Sequence, residues 1–383
     1  MSYQAFTYSA KTEYVFTQDA AAALKEQLLR IRPEKLFVLA SPRAFAIVSP
    51  VLEELGQPYY LKSGCMPNPT ASFVNGCAEE LTANGCDFLL GVGGGSTIDA
   101  LKATALLAAN PTPGGVWNYI SFASEPENPA LPVGLVVTIP STGSESNPSA
   151  VISNEALGEK TIYTNDTLYP VFSIASPALT YTLPAGQTAA GAADILSHLL
   201  ETYLHGDTGV ELSDNLLLGA MEAVVKYAPI SLAQPDNYDA RANLLWASYL
   251  AMNRVFAVGH SENWISHMVE HTISAKFDMT HGAGMAIVLP AYIKTLSGAA
   301  IAARLEQLSE KVFGAPGVPA HEALMRFFSD LNLPATLAEA GIYPTENDLM
   351  ECAQKSVPWG PCTVEGLGDF TEESALALLR SIC

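Results

Sequence analysis

Three histidines stand close together in the stretch NWISHMVEHTISAKFDMTHGAGM, which runs from residue 263 to residue 285. His267 and His271 are four residues apart, so on a helix their side chains lie on the same face. His281 follows ten residues later and directly precedes a glycine. Imidazole is the commonest metal ligand among side chains, so this stretch raises the question of what would complete a metal site.

A carboxylate and a further histidine show the same spacing earlier in the chain. In GAADILSHLLETY, Asp194 and His198 are four residues apart, and two helices can each present such a pair to one point. Asp194, His198, His267 and His281 would form a site with one carboxylate and three imidazoles, which suits Fe(II) or Zn(II) rather than Mg²⁺ or Ca²⁺. A single histidine on a helix is usually a surface or core residue, and the paired spacing is what favours a metal. The remaining histidines are expected to be surface or core residues: His205, His260 and His321.

A glycine-rich turn suited to phosphate binding occurs in DFLLGVGGGSTIDALK, which predicts a strand, a turn and a helix. Gly94 and Gly95 would let the backbone approach a ligand closely, and Ser96 would cap the helix or bond a phosphate oxygen. Free N–H groups at the start of the helix would attract the anion. The run lacks the full G-x-G-x-x-G pattern, so it is equally consistent with an ordinary tight turn.

Two further polar features follow this turn. Asp99 and Lys102 lie three residues apart on the predicted helix, where they form either an exposed ion pair or, through the lysine, a contact with ligand phosphate or ribose. After a later strand, TIPSTGSESN supplies small hydroxyl donors that include Thr138 and Thr142. Ligands of open α/β sheets bind at the carboxyl ends of strands, so this loop is either a second binding element or an ordinary polar loop.

The first half of the chain alternates between short apolar runs and amphipathic segments, which predicts a parallel sheet with helices on both faces. Four apolar runs bounded by turn residues are the predicted strands: 35–40, 58–63, 87–92 and 134–140. After about residue 184 the apolar residues recur at helical spacing, without a convincing strand. We therefore predict an α/β domain over residues 1–184 and an all-helical domain over residues 185–383.

The composition is that of an ordinary globular protein. The 383 residues suffice for two domains, and the net charge of −20 makes nucleic-acid binding unfavourable. The N-terminus lacks the features of a signal peptide, and no uninterrupted apolar run is long enough to span a membrane. The six cysteines include no C-x-x-C pair. We therefore expect a cytoplasmic protein with free thiols and no membrane association.

Four segments, in order along the chain, resemble the iron-containing (group III) alcohol dehydrogenases. They are GGGSTIDALK, TIPSTGSESN, LTYTLPAGQTAAGAADILSHLLE and NWISHMVEHTISAKFDMTHGAGMAIVLP. The similarity extends over essentially the whole chain, and the pattern H-x-x-x-H, nine residues, H-G is specific. Within the family, the chain looks most like the branch of NADPH-dependent butanol dehydrogenases and aldehyde reductases.

The resemblance implies a Rossmann-like dinucleotide-binding domain followed by an all-helical metal domain, as in the dehydroquinate synthase-like fold, with the active site in the cleft between them. It implies one divalent metal, Fe(II) or Zn(II), held by Asp194, His198, His267 and His281. His271 would lie near the nicotinamide and relay a proton. The residues matching the family's cofactor contacts are Asn68, Pro69, Gly94, Gly95, Ser96, Asp99, Lys102, Thr138, Thr142 and, near the ribose, Lys160.

The implied activity is that of an alcohol dehydrogenase or aldehyde reductase, and a homodimer is implied as well. Hydride would pass between C4 of the nicotinamide and a small aldehyde or primary alcohol whose oxygen is bound to the metal. Phe256 and Trp264, near the motifs, suggest a small apolar pocket. Two alternatives are a lyase resembling dehydroquinate synthase, which needs several basic residues where this chain has only 19 Lys and Arg, and a non-catalytic scaffold that binds a nucleotide or metal.

One position departs from part of the family and bears on the choice of cofactor. NAD-preferring members tend to end the first strand of the cofactor fold with an aspartate, whereas KLFVLASPR has Ser41 there. A serine does not repel a 2′-phosphate, and Arg43 could pair with that phosphate. We therefore predict NADP(H) rather than NAD(H).

Overall fold

The structure is a computed structural model that describes residues 5–205, 207, 209–259, 262–358, 360–364 and 368–383. It divides into two compact units. The first, Ser9–Thr182, is an α/β unit. The second, Leu183–Cys383 together with residues 5–8, is mostly helical. The predicted fold class is confirmed, whereas residues 5–8 group with the helical unit and not with the α/β unit.

The α/β unit is built on a six-stranded parallel sheet. The strands of the whole unit, in chain order, are β1 (Glu13–Phe16), β2 (Leu36–Ala40), β3 (Tyr59–Lys62), β4 (Phe88–Gly93), β5 (Val133–Val137), β6 (Ser149–Asn154), β7 (Glu159–Thr164) and β8 (Phe172–Ala175). The sheet order is β1-β8-β5-β4-β2-β3, and each neighbouring pair is parallel. Strands β6 and β7 form a separate antiparallel hairpin.

Helices pack on both faces of this sheet because its central strands alternate apolar side chains between two cores. The helices are α1 (Ala20–Ile31), α2 (Pro42–Leu55), α3 (Ala71–Ala83), α4 (Gly95–Ala109) and the short α5 (Trp117–Ile120). In β2, Phe37 and Leu39 belong to the core that includes α3 and α4, and Leu36 and Val38 belong to the core that includes α1 and α2. Strands buried on both faces are typical of parallel sheets.

Helices make up most of the second unit. They are α6 (Ala185–Tyr203), α7 (Glu211–Ala233), α8 (Tyr238–Met252), α9 (Ile265–Phe277), α10 (His281–Thr295), α11 (Ala299–Gln307), α12 (Ala320–Asp330), α13 (Glu346–Lys355) and α14 (Glu372–Ser381). Helix α6 is buried from Thr188 to Tyr203, and α7, α8 and α10 pack against it. Helix α10 also packs on α9, so it connects the helices that carry the candidate ligands.

This unit also contains a short antiparallel hairpin, β9 (Cys362–Val364) and β10 (Gly368–Phe370), where the prediction was all-helical. Strands of three residues are too short to show a period-two pattern. The four predicted strands correspond to β2 to β5, whereas β1, β6, β7 and β8 were not predicted. Length alone does not explain this difference, because β3 also has four residues and β6 and β7 have six.

Helix α7 is long and apolar enough to cross a membrane by length and composition. The buried core helix of a globular protein passes the same test. Leu217, Met221 and Val224 of α7 are buried in the hydrophobic core of the helical unit.

Candidate functional site

The four predicted metal ligands lie on three helices of the helical unit. Helix α6 carries Asp194 and His198, α9 carries His267, and His281 is the first residue of α10. The two residues on α6 lie one turn apart and are both buried, as is His267, whereas His281 is partly exposed. The i, i+4 spacing seen in the sequence therefore places the first pair on one face of a helix, as predicted.

A glycine lets α10 approach α6 closely enough to complete the cluster. A Cβ atom at Gly282 would lie 2.0 Å from the carbonyl oxygen of Ala190, which is a backbone atom of α6 that cannot rotate away. Only glycine tolerates this contact. The neighbouring His281 is thereby brought to Asp194, with 3.3 Å between Nε2 of the histidine and Oδ1 of the aspartate.

The histidine nitrogens surround one oxygen atom, Oδ1 of Asp194. Nε2 of His281 is 3.3 Å from it, Nε2 of His198 is 3.8 Å from it, and Nε2 of His267 is 4.0 Å from it. Asp194, His267 and His281 offer ligand atoms that all lie within 4.8 Å of one another. His198 is not part of that group, but its ring stacks on His267 with the centroids 4.7 Å apart. Three predicted ligands therefore converge, and the fourth borders them.

This donor set fits a divalent metal. Donors about 2.1 Å from a tetrahedral ion lie roughly 3.4 Å from one another, close to the separations around Asp194. Within the part of the chain that the structure describes, Nε2 of His267, which faces Asp194, is buried without a hydrogen-bond partner. A buried polar atom without a partner costs free energy, and coordination to a metal would offset that cost.

The surroundings of His198 and Asp194 favour the protonation states that metal binding requires. Burial lowers the pKa of His198 to about 3, because the charged imidazolium would lose its hydration. Burial opposes the ionisation of Asp194, but the surrounding histidines, His198 first, hold the pKa of this carboxyl below its usual range. A neutral imidazole and an ionised carboxylate are the forms that bind a metal ion.

Two glutamates without a predicted role are bonded to two of the predicted ligand histidines. Glu201 Oε2 is hydrogen-bonded to Nδ1 of His267, and Glu270 Oε2 is hydrogen-bonded to Nδ1 of His281. Both carboxylates are fully buried. Each glutamate follows a predicted ligand by three residues, His198 in one case and His267 in the other. A carboxylate at this spacing is the signal by which both could have been found.

His271, predicted to relay a proton, lies beside the cluster. Its ring centroid is 5.5 Å from that of His281 and 6.2 Å from that of His267, and its ring is half-buried. The ring of Trp264 stands edge-on to His267 at 5.4 Å and provides an apolar side. Phe256, considered for the same pocket, is instead part of the hydrophobic core.

The glycine turn of the α/β unit has the predicted strand–turn–helix form. Gly94 is the N-cap residue of α4 and has no side chain with which to cap it, and Ser96 lies in the first turn rather than at the cap. A Cβ atom at Gly95 would lie 2.5 Å from Oγ1 of Thr142, so glycine is what lets the two predicted cofactor loops meet. The N–H of Thr138 donates to the end of β4. The first N–H groups of α4 suit an anion.

Asp99 and Lys102 are both buried, which corrects the alternative of an exposed ion pair. The Lys102 ammonium donates to the carbonyl oxygens of Ser144, Asn147 and Ser149, and to Ser144 Oγ and Asn147 Oδ1. Ser144 in turn donates to Asp99 at 2.6 Å. A contact between Lys102 and a ligand would require these bonds to break, so the geometry favours a role in holding the 144–149 loop.

The other predicted cofactor contacts lie in three places of the α/β unit. Lys160 on β7 donates to Asn68 Oδ1 at 2.9 Å, so these two predicted residues meet. Ser41 is the N-cap of α2, and its hydroxyl accepts from the N–H of Ala44. Arg43 is exposed in the first turn of the same helix.

Among the histidines without a predicted role, His205 is buried, with Nε2 3.3 Å from Oδ1 of Asp214. His321 is half-buried on α12. His260 lies outside the described residues.

Known proteins are similar to this chain in both sequence and fold. Residues 11–177 match the family described as iron-containing alcohol dehydrogenase, and residues 188–383 match the C-terminal part of the Fe-containing alcohol dehydrogenase family. The chain is 32% identical to NADH-dependent butanol dehydrogenase B of Clostridium acetobutylicum, over 98% of each protein. It is 31% identical to the NADPH-dependent aldehyde reductase YqhD of Escherichia coli, over 88% of this chain and 89% of that protein. The crystal structure of NADH-dependent butanol dehydrogenase A from Thermotoga maritima superposes with a TM-score of 0.91 at 31% identity and covers 100% of both chains.

Proposed function

The chain belongs to the iron-containing alcohol dehydrogenase family, and on this basis we propose that it interconverts small primary alcohols and aldehydes with NADP(H) and one bound divalent metal. Membership makes it an oxidoreductase, in a family that uses a nicotinamide cofactor and a divalent metal. The similar proteins are named as dehydrogenases and reductases, so neither the lyase nor the scaffold alternative gains support.

The convergence of one aspartate and three histidines carries this proposal. Asp194, His267 and His281 offer ligand atoms within 4.8 Å of one another, and Nε2 of His198 is 3.8 Å from Asp194 Oδ1. We assign all four to a single Fe(II) or Zn(II) ion, since a mixed set of imidazoles and a carboxylate suits both metals. When bound, the ion would supply a Lewis acid that polarises the substrate carbonyl.

Other side chains and backbone groups would bind the cofactor and handle the proton. The N–H groups at the start of α4, at Gly95 and Ser96, would bind cofactor phosphate, because the helix N-terminus favours negative charge. His271 is half-buried beside His281, so its ring can exchange a proton with solvent as the alkoxide forms or is consumed. Trp264 would exclude water from the side of the cluster that it covers.

The preference for NADP(H) depends on two residues at the start of α2. A serine rather than a carboxylate follows β2, at Ser41, and the exposed Arg43 is two residues further on. A guanidinium can bind a phosphate through two parallel hydrogen bonds. The relatives include both specificities, since the Clostridium enzyme is named as NADH-dependent and the E. coli enzyme as NADPH-dependent.

The decisive experiment is aldehyde-dependent oxidation of NADPH. Protein stripped of metal with a chelator is reloaded with Fe(II) or Zn(II) and assayed with butanal, with NADPH and NADH compared by kcat/KM. We expect activity to return with metal and kcat/KM to be higher for NADPH. Arg43→Ala should lower the NADPH value by about tenfold, equivalent to about 1.4 kcal/mol, and leave the NADH value unchanged. No turnover with either ion, in folded protein that binds the cofactor, would overturn the proposal.

A further inference from the structure

We infer that Glu201 and Glu270 are positioning residues, which set the tautomer and the orientation of His267 and His281. The inference rests on the proposed metal centre and assigns it a second layer of side chains that the ligand spacing does not show. Each glutamate is fully buried and contacts one of these histidines at the ring nitrogen that faces away from Asp194.

Glu201 holds His267 at both its backbone and its ring. Oε2 of the glutamate is bonded to Nδ1 of the ring, and Oε1 accepts the backbone N–H of the same residue at 3.1 Å. The hydroxyl of Ser266 also donates to Oε1. With the backbone and the ring fixed by one carboxylate, the imidazole has little freedom to rotate. The glutamate is on α6, so it also fixes His267 of α9 relative to the helix that carries Asp194.

Glu270, on α9, likewise orients the ring of His281, on α10. Oε2 is bonded to Nδ1 of His281, and the hydroxyl of Ser274 donates to Oε1. The carboxylate occupies space that a glycine leaves open, because a Cβ atom at Gly284 would lie 2.5 Å from Oε1. The second glycine of the H-G-A-G segment is therefore explained by the room that Glu270 needs.

The chemistry of these contacts determines which nitrogen binds the metal. An ionised carboxylate only accepts hydrogen bonds, so Nδ1 of each ring must carry the proton. Nε2 then keeps its lone pair, and this is the atom that faces Asp194 Oδ1, at 4.0 Å for His267 and 3.3 Å for His281. A carboxylate bonded to the far side of an imidazole also makes the ligand nitrogen more basic.

Metal affinity tests the inference independently of enzyme activity. Zn(II) binding to metal-stripped protein is measured by competition with a chromophoric chelator, for the wild type and for Glu201→Gln, Glu270→Gln and the corresponding alanine variants. We expect the alanine variants to bind Zn(II) about 10- to 100-fold more weakly. The glutamine variants should recover part of this loss, because an amide oxygen still accepts the Nδ1 proton but lacks the charge.

Asp214→Asn is the matched control. Asp214 is a largely buried carboxylate of the same unit that lies 3.3 Å from a histidine, His205, and forms an ion pair with Arg304 outside the metal site. We expect the Asp214→Asn variant to have a lower unfolding temperature and an unchanged affinity for Zn(II).

NMR tests the tautomers directly. In the metal-free wild type, with histidine labelled at the ring nitrogens, both His267 and His281 should have the proton on Nδ1.

The outcomes separate the inference from the proposal on which it rests. If the folded wild type binds no Zn(II) or Fe(II), the metal centre itself is wrong. If the wild type binds metal and all four glutamate variants bind it as tightly, the positioning role alone is wrong. A loss of unfolding temperature without a loss of affinity would likewise overturn it, because the glutamates would then be merely structural.

Discussion

Each unit contains a buried polar cluster, and the two clusters differ in whether the protein itself satisfies their polar atoms. In the α/β unit, the ammonium of Lys102 donates to oxygen atoms of Ser144, Asn147 and Ser149. In the helical unit, His267 is bonded to Glu201 through Nδ1, whereas its buried Nε2 has no partner among the described residues. The Lys102 ammonium is therefore satisfied without a ligand, whereas Nε2 of His267 is not.

The two clusters could not be distinguished from their sequence motifs alone. Both clusters come from conspicuous motifs in which polar residues three or four apart lie on one helix, and both were predicted to contact a ligand. Burial with every hydrogen bond made inside the protein indicates a role in holding the fold, because no group remains for the ligand. A buried donor or acceptor without a partner that lies among several other possible ligands, as Nε2 of His267 does, favours a binding site.

The largest effect that would test this comparison is expected from His267→Ala. Removal of the imidazole should abolish stoichiometric metal binding and lower kcat/KM for butanal at least ~100-fold, as expected when a group that stabilises the transition state is lost. The substitution removes a buried nitrogen without a partner but also leaves Oε2 of the buried Glu201 without its ring partner, so circular dichroism must show that the variant is folded. The measurements are the metal content of the variant by mass spectrometry and its rate of butanal reduction. A variant with full metal and full rate would show that His267 is not a ligand.

The second effect, on stability rather than on metal binding, concerns Lys102. Lys102→Met should lower the free energy of unfolding by about 3–5 kcal/mol, because the buried oxygen atoms and Asp99 lose their cation, and it should leave Zn(II) affinity unchanged. Denaturant unfolding and chelator competition measure the two quantities. Lys276→Met, at a partly exposed lysine paired with Asp348 and Glu351, is the control and should change stability little. Unchanged stability with weakened NADPH binding would instead make Lys102 a direct cofactor contact.

The smallest effect is expected at the glycine turn. Gly95→Ala would place a Cβ atom 2.5 Å from Thr142 Oγ1 and push the two loops apart. We expect the KM for NADPH to rise about tenfold, which corresponds to about 1.4 kcal/mol, while Zn(II) affinity stays the same. Gly76→Ala is the matched control in the same unit, because its Cβ atom would meet nothing within 4 Å. If Gly95→Ala left NADPH binding unaffected, the start of α4 would not be the phosphate site.

Much of the architecture could be predicted because it depends on local patterns. The strands β2, β4 and β5 are continuous apolar runs between turn residues, and their burial on both faces requires that composition. The strands β1, β6, β7 and β8 were not predicted, because polar residues shorten or interrupt their apolar runs. The spacing of Asp194 with His198 was informative for the same local reason, because a helix places residues four apart on one face.

What the sequence by itself determined is therefore the pattern within each element: which runs are buried and which polar residues share a helical face. What only the tertiary structure decided is which elements meet. The oxygen atoms that hold Lys102 lie more than forty residues along the chain, and Glu201 reaches His267 from another helix. Glycine is required at position 282 only because α10 approaches the backbone of Ala190 on α6. Such contacts depend on packing between distant segments, which no local periodicity encodes.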